Sequence, residues 1–149
     1  MGFAALITWF AAVMAGLYMF TVWLIENDVT GRHAAPSQLP IPVIFGHLAL
    51  AVTGLCVWVA YLVLDKETLA WAAFGLLAIV TLLGITMFAR WIPVYREPAP
   101  PAHAPLLAGE PFDIPAEGNF PLAVVAAHGL LAGTTLVLVF LTALGVGGS

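Results

Sequence analysis

Charged residues are scarce in this chain. Only 8% of its 149 residues are Asp, Glu, Lys or Arg, whereas 62% are hydrophobic. A soluble globular domain carries about a quarter charged residues, so this chain cannot cover a water-exposed surface and is expected to be an integral membrane protein. With four Lys and Arg residues and a net charge of −4, it also lacks the basic patch typical of proteins that bind nucleic acid.

Cysteine and the common catalytic motifs are also scarce or missing. The single cysteine, Cys56, excludes an intrachain disulfide and a Cys-x-x-Cys metal or redox motif. The sequence has no His-Glu-x-x-His zinc motif and no recognisable nucleophile–base–acid set. No Asp, Glu, Lys or Arg is expected near the middle of the bilayer, where transporters usually place their coupling residues. These absences argue against hydrolytic catalysis and against transport.

Four long apolar runs dominate what is present. They span about 3–25, 42–64, 68–92 and 120–145. A helix needs roughly 20 residues to cross a bilayer, so residues 1–149 are predicted to form one all-α domain, an integral, multi-pass four-helix bundle. A tight polar turn at 65–67 joins the second and third runs, which places the proline-rich loops 26–41 and 93–119 together on the opposite face. The first run has no basic leader or cleavage pattern, which favours a retained helix over a signal peptide.

The second half of the sequence resembles the first. Four residues of the first run recur in the third at a constant offset: Gly16, Met19, Phe20 and Trp23 match Gly84, Met87, Phe88 and Trp91. The stretch PIPVIFGHLALAVTGL of the second run aligns with PLAVVAAHGLLAGTTL of the fourth, which pairs His47 with His128. We therefore predict two repeated helix hairpins related by a pseudo-twofold axis along the membrane normal.

The paired histidines are the candidate cofactor ligands. Each lies seven residues after the proline that begins its run, so both imidazoles are expected about 10 Å below the long-loop face. The pseudo-axis lets them face each other. Two neutral imidazoles at one depth suit the two axial positions of a b-type haem. We therefore predict that His47 and His128 bind the iron of one haem b.

Small residues beside the two histidines would leave room for the flat macrocycle. They are Gly46, Ala51 and Gly54 in the second run, and Gly129 and Ala132 in the fourth. Arg90 ends the third run on the same face and is the best-placed cation for the haem propionates.

Other interpretations of these residues stay open. An intramembrane histidine can serve only as a hydrogen-bonding group between helices, or it can bind another metal or carry a proton. A second metal site at His33 and His103 in the long loops is less favoured. The loop carboxylates, Glu117 among them, are expected to be solvated. Trp23 and Trp91 are expected to belong to the aromatic belts at the membrane surfaces.

The four-helix core with His47, His128 and their small neighbours resembles, in architecture, the small bis-histidine membrane cytochromes b. The resemblance implies membrane electron transfer, as a carrier or subunit rather than a stand-alone enzyme. It implies quinone or a membrane redox complex as partner. The expected location is the bacterial cell membrane. The chain departs from many such proteins because it offers one histidine pair near one face. A non-catalytic accessory subunit of a respiratory complex and a small histidine-based metal-handling protein remain alternatives. A homo- or hetero-oligomer is compatible with each of these functions.

Overall fold

A computed structural model describes residues 1–27, 37–97 and 115–146. These residues form four α-helices and one short 3-10 helix: α1 (Gly2–Glu26), α2 (Ile41–Leu64), α3 (Glu67–Arg96), η1 (Ala116–Asn119) and α4 (Leu122–Ala143). The prediction of an all-α fold is confirmed for the described residues. Each of α1 to α4 is long and apolar enough to cross a membrane, which fits an integral multi-pass membrane protein.

Local sequence explains where two of the helices begin and how the short turn forms. α2 and α4 begin directly after Pro40 and Pro121, whose backbones are extended. Between α2 and α3 the chain reverses at Asp65, which has a φ of 50° and donates its backbone N–H to Tyr61. Aspartate tolerates this left-handed conformation better than most residues, so a very short connection is sufficient.

Three helix ends differ by two or more residues from the sequence-based prediction, the first being the start of α4 at Leu122 instead of 120. α3 continues past Pro93 to Arg96 instead of ending at 92. A proline removes only one backbone donor, and the last turn is closed by a 3.0 Å bond from the Glu97 N–H to the Pro93 carbonyl. α4 ends at Ala143 rather than 145, because Gly145 adopts a φ of 75°, the left-handed conformation that commonly terminates helices.

The helices alternate in direction around a closed bundle. α1 packs along α4 and α2 along α3, while α3–α4 and α1–α2 contacts complete the ring, so α2 and α4 lie diagonally opposite each other. The Trp58 Nε1–H near the end of α2 donates to the Gly2 carbonyl at the start of α1 at 3.2 Å. Ser37, before α2, donates to the Glu117 carboxylate, before α4, at 2.9 Å. The starts of α2 and α4 therefore share one end, the long-loop end, and the turn at Asp65 lies at the other, the short-turn end.

The outer surface of the bundle is apolar. Phe3, Val63 and Leu130 leave 74%, 75% and 74% of their surface exposed. Each square ångström of such surface costs about 25 cal/mol in water, a cost that disappears among lipid tails. The bundle surface is therefore compatible with a lipid bilayer.

The buried apolar side chains form two clusters rather than one continuous core. One cluster lies at the short-turn end and consists of Ala5, Trp9, Trp58, Ala70, Ala73, Leu77, Val139 and Ala143. The other lies at the long-loop end and consists of Trp23, Leu39, Ile44 and Ala116. Along α2, His47 falls between Ile44 of the second cluster and Trp58 of the first. The histidine level is thus enclosed by apolar packing above and below.

Single cysteines at Lys66 and Asn119 should be labelled from opposite sides of the membrane. Both native residues are exposed and lie at opposite ends of the bundle, so each engineered thiol should react with a membrane-impermeant maleimide from one side only. Cys56 is first replaced by alanine, which removes the native thiol. Labelling of both positions from the same side would contradict the alternating topology.

Candidate cofactor site

His47 and His128 meet inside the bundle. They come from diagonally opposed helices, yet their ring centroids are 6.2 Å apart, with the ring planes inclined by 53°. Each lies six residues after the first residue of its helix, so both rings are at one depth. The structure therefore brings together the two histidines that the sequence alignment pairs.

One nitrogen of each imidazole is held by a backbone carbonyl of a neighbouring helix. His47 Nδ1 lies 3.0 Å from the Val80 carbonyl oxygen of α3, and His128 Nδ1 lies 2.9 Å from the Ala12 carbonyl oxygen of α1. A carbonyl oxygen can only accept a hydrogen bond, so each Nδ1 carries a proton and donates it. In a neutral imidazole, Nε2 then keeps a free lone pair, which is the tautomer that a metal-binding histidine needs.

Two glycines let α1 and α3 approach the imidazole rings. A Cβ atom added at Gly84 would lie 3.2 Å from His47 Cε1, and one added at Gly16 would lie 3.1 Å from His128 Cε1. Each glycine comes one turn after the carbonyl that accepts the imidazole N–H. A helical side chain covers the turn that precedes it, so a larger residue at either position would shield that carbonyl. The glycines open the two carbonyls to the histidines.

The sequence pattern assigns Gly16 and Gly84 to the repeat but not to the site. The predicted small residues lie on the helices that carry the histidines, whereas the close contacts come from the facing helices. A usable signal existed, because the two glycines recur together with the two histidines. Which face of α1 or α3 turns toward an imidazole depends on helix rotation, and the repeat alone does not specify it.

Two of the predicted small residues of α2 are buried inside the bundle. Ala51, four residues after His47, is 9% exposed. Gly54 is buried too, and a Cβ atom there would lie 2.9 Å from the Trp9 indole. Gly54 therefore makes room for Trp9 at the short-turn cluster. Contact of either residue with a haem stays a prediction.

The remaining predicted site residues are less enclosed. Gly46 and Ala132 are partly buried and Gly129 is exposed, and nothing lies within 4 Å of a Cβ atom built at either glycine. Arg90 is exposed at the long-loop end and donates from Nη1 to the Gln38 carbonyl at 3.1 Å. Their predicted contacts with a haem and its propionates are likewise still predictions.

Glu117 corrects the expectation that the loop carboxylates are solvated. Its side chain is fully buried. The carboxylate accepts the backbone N–H of Gln38, with 2.6 Å between nitrogen and oxygen, and the hydroxyl of Ser37 at 2.9 Å. A carboxylate withdrawn from water needs hydrogen-bond donors, and the segment before α2 supplies them.

The prediction that Trp23 and Trp91 belong to the aromatic belts at the membrane surfaces is also wrong. They are only 3% and 4% exposed. The Trp23 Nε1–H donates to the Ser37 hydroxyl at 3.1 Å, and the Trp91 Nε1–H donates to the Glu117 backbone carbonyl at 3.0 Å. Buried indoles usually place their N–H on a partner in this way. We call this group the polar cap: Trp23, Ser37, Gln38, Trp91 and Glu117.

The described ranges contain no group of three or more His, Cys, Asp or Glu that could hold a metal ion. A pair of imidazoles falls short of the four ligands of a structural zinc site. An iron inside a porphyrin needs only two axial ligands from the protein. The described pair of imidazoles matches that number. The less favoured second site, at His33 and His103, lies outside the described residues.

Compared with known proteins, the chain matches no family model, no curated protein and no solved structure. The likeness to the bis-histidine cytochromes b therefore rests on the residues themselves. Function has to be argued from the geometry of the histidine pair.

Replacing Gly84 by alanine should destabilise the bundle relative to the same change at Gly75 in the same helix. Both variants gain similar helix propensity, up to about 1 kcal/mol. A methyl group at 84 presses on His47 and weakens a hydrogen bond worth about 1 kcal/mol, whereas one at 75 meets nothing within 4 Å. The free energy of unfolding, measured by detergent titration, should be lower for Gly84→Ala by about 1 kcal/mol or more. Equal values would rule against the close approach of α3 to His47.

Proposed function

We propose that this chain is a membrane electron-transfer protein that binds one haem b between His47 and His128. The observation that carries the proposal is the 6.2 Å separation of the two ring centroids at one depth. A metal–imidazole bond is about 2 Å long and the ring centre lies about 1 Å farther, so two imidazoles on opposite sides of one metal have centroids about 6 Å apart. The observed separation fits axial ligation.

The hydrogen bonds to Val80 and Ala12 prepare both imidazoles for this role. They fix each ring in the tautomer whose Nε2 is unprotonated, and they hold the ring orientation. A carbonyl acceptor behind a ligating histidine also makes the ligand more basic. A bound haem would supply a one-electron ferric–ferrous couple, and the apolar clusters above and below the histidines would keep water away from it.

The depth of the site determines at which end of the bundle electrons can be exchanged. The histidines lie about 9 Å from the starts of their helices, at 1.5 Å per residue, and thus near the long-loop end. One haem at this level cannot carry electrons across the whole bilayer. We therefore assign electron exchange to the long-loop end, with quinone or a membrane redox complex as partner, in the cell membrane of a bacterium. Arg90, exposed at this end, is available to pair with the propionates.

We also propose that the bundle derives from two repeated hairpins, which supports a shared site. Each histidine has the same two partners, a carbonyl and a glycine one turn later: His47 with Val80 and Gly84, and His128 with Ala12 and Gly16. In both cases the partners belong to the other hairpin. Neither hairpin completes a histidine environment alone, so the pair is a property of the whole bundle.

A second candidate function is an accessory subunit without a cofactor. It is favoured by the fact that each imidazole already has a carbonyl partner, which links α2 to α3 and α4 to α1. Interhelical hydrogen bonds of this kind have modest but real stabilising effects in membranes. Under this alternative, the Nε2 atom of each histidine does not bind a metal.

Replacing either His47 or His128 by alanine should abolish six-coordinate haem binding. Loss of one axial ligand should convert the iron to high spin or release the haem, because the second imidazole alone holds it weakly. Absorption spectra of the reduced, haem-reconstituted protein measure this directly, since the sharp low-spin bands should disappear. The control variants are His33→Ala and His103→Ala, which should retain them.

Two results would decide against the haem. A low-spin spectrum that survives His47→Ala and His128→Ala would exclude these residues as the axial ligands. A folded wild-type protein that binds no haem would favour the accessory subunit instead.

A further inference from the structure

Glu117 is a buried ionisable side chain that the proposed cofactor site does not use. It lies in η1, at the long-loop end, with its carboxylate bonded to Ser37 and Gln38. Burial of a carboxylate is unfavourable unless its hydrogen bonds are satisfied, so its position calls for a reason. We propose that Glu117 is a positioning residue that sets the separation of His47 and His128. As far as it concerns haem ligation, this inference rests on the proposed function.

The two histidine-bearing helices need a connection because they do not pack against each other. α2 and α4 are diagonally opposite, with α1 and α3 between them. Ser37 and Gln38 stand just before α2, and Glu117 stands just before α4. The two hydrogen bonds of the carboxylate therefore tie the starts of the histidine-bearing helices directly to each other.

The helix starts have few other polar anchors. Neither α2 nor α4 has a side-chain hydrogen bond at its N-cap, which is a proline in both cases. Each histidine is six residues into its helix, fewer than two turns. Over so short a length a helix is stiff, so a shift at its start moves the imidazole with it.

The polar cap also fixes the carboxylate relative to the other two helices. Trp91 of α3 donates to the Glu117 backbone carbonyl, and Trp23 of α1 donates to the Ser37 hydroxyl that Glu117 accepts from. Arg90 holds the Gln38 carbonyl from the outside. Hydrogen bonds from α1 and α3 thus end on Ser37 and Glu117, the same two residues that connect the starts of α2 and α4.

The first measurement needs no haem. Spin labels are placed on cysteines at Ile41 and Leu122, which are 56% and 50% exposed, in a chain whose Cys56 is replaced by alanine. Double electron–electron resonance in lipid nanodiscs should give one narrow distance distribution for this apoprotein. Adding Glu117→Ala should broaden it and lengthen its mean, because the tie between the helix starts is lost.

Three further variants control for a general loss of stability. Glu117→Gln keeps the side-chain length and an acceptor for the Gln38 N–H, so the distribution should stay close to that of the parent protein. Ser37→Ala removes one of the two bonds to the carboxylate, together with the bond from Trp23 to the Ser37 hydroxyl, and should give an intermediate width. Glu67→Ala removes an exposed carboxylate at the short-turn end and should change nothing.

The second measurement is the low-spin fraction of the haem-loaded variants. It should fall clearly in Glu117→Ala and be largely restored in Glu117→Gln. An unchanged distance distribution in Glu117→Ala overturns the positioning role; if that variant does not fold, an unchanged distribution in Ser37→Ala does so. A broadened distribution in a protein whose parent binds no haem supports the positioning role and rejects the haem, so the two proposals fail separately.

Discussion

The bonds from the two imidazole Nδ1–H groups to backbone carbonyls are the constraint on which the site depends. A polar ring in an apolar interior has to place its N–H on an acceptor. A helix carbonyl already accepts one amide, and its second lone pair is reachable only where the next turn offers no side chain. His47 and His128 therefore require Gly84 and Gly16 on the facing helices. The rotation of α1 and α3 follows, and so does the tautomer of a neutral imidazole, in which Nε2 keeps its lone pair.

In the described part of the bundle, the two ends have different roles. At the short-turn end, Trp9 and Trp58 belong to an apolar cluster whose burial stabilises the packing of all four helices. At the long-loop end, the polar cap contributes directional hydrogen bonds that fix the relative positions of the starts of α2 and α4. Dispersion contacts tolerate small displacements, whereas a carboxylate held by an N–H and an O–H does not. The histidine pair lies between the apolar cluster, which stabilises the bundle, and the polar cap, which positions the helix starts.

The sequence predicts the helices and the histidine pair because both depend on properties that run along the chain. Apolar length predicts the four helices, and equal distance from a proline predicts the equal depth of His47 and His128. The burial of Glu117 and Trp91 could not be predicted in this way. It depends on how the segments before α2 and α4 fold over the bundle, which is a tertiary contact between residues some 80 positions apart. A loop carboxylate and a tryptophan near a helix end otherwise read as surface residues.

The most direct test of the central claim is a titration of haem into the folded wild-type apoprotein, followed by electron paramagnetic resonance of the ferric form. We predict saturation at one haem per chain and a low-spin signal of the bis-imidazole type, since the centroids of the two imidazole rings lie 6.2 Å apart. A purely high-spin signal, or a folded chain that takes up no haem, would contradict axial ligation by His47 and His128.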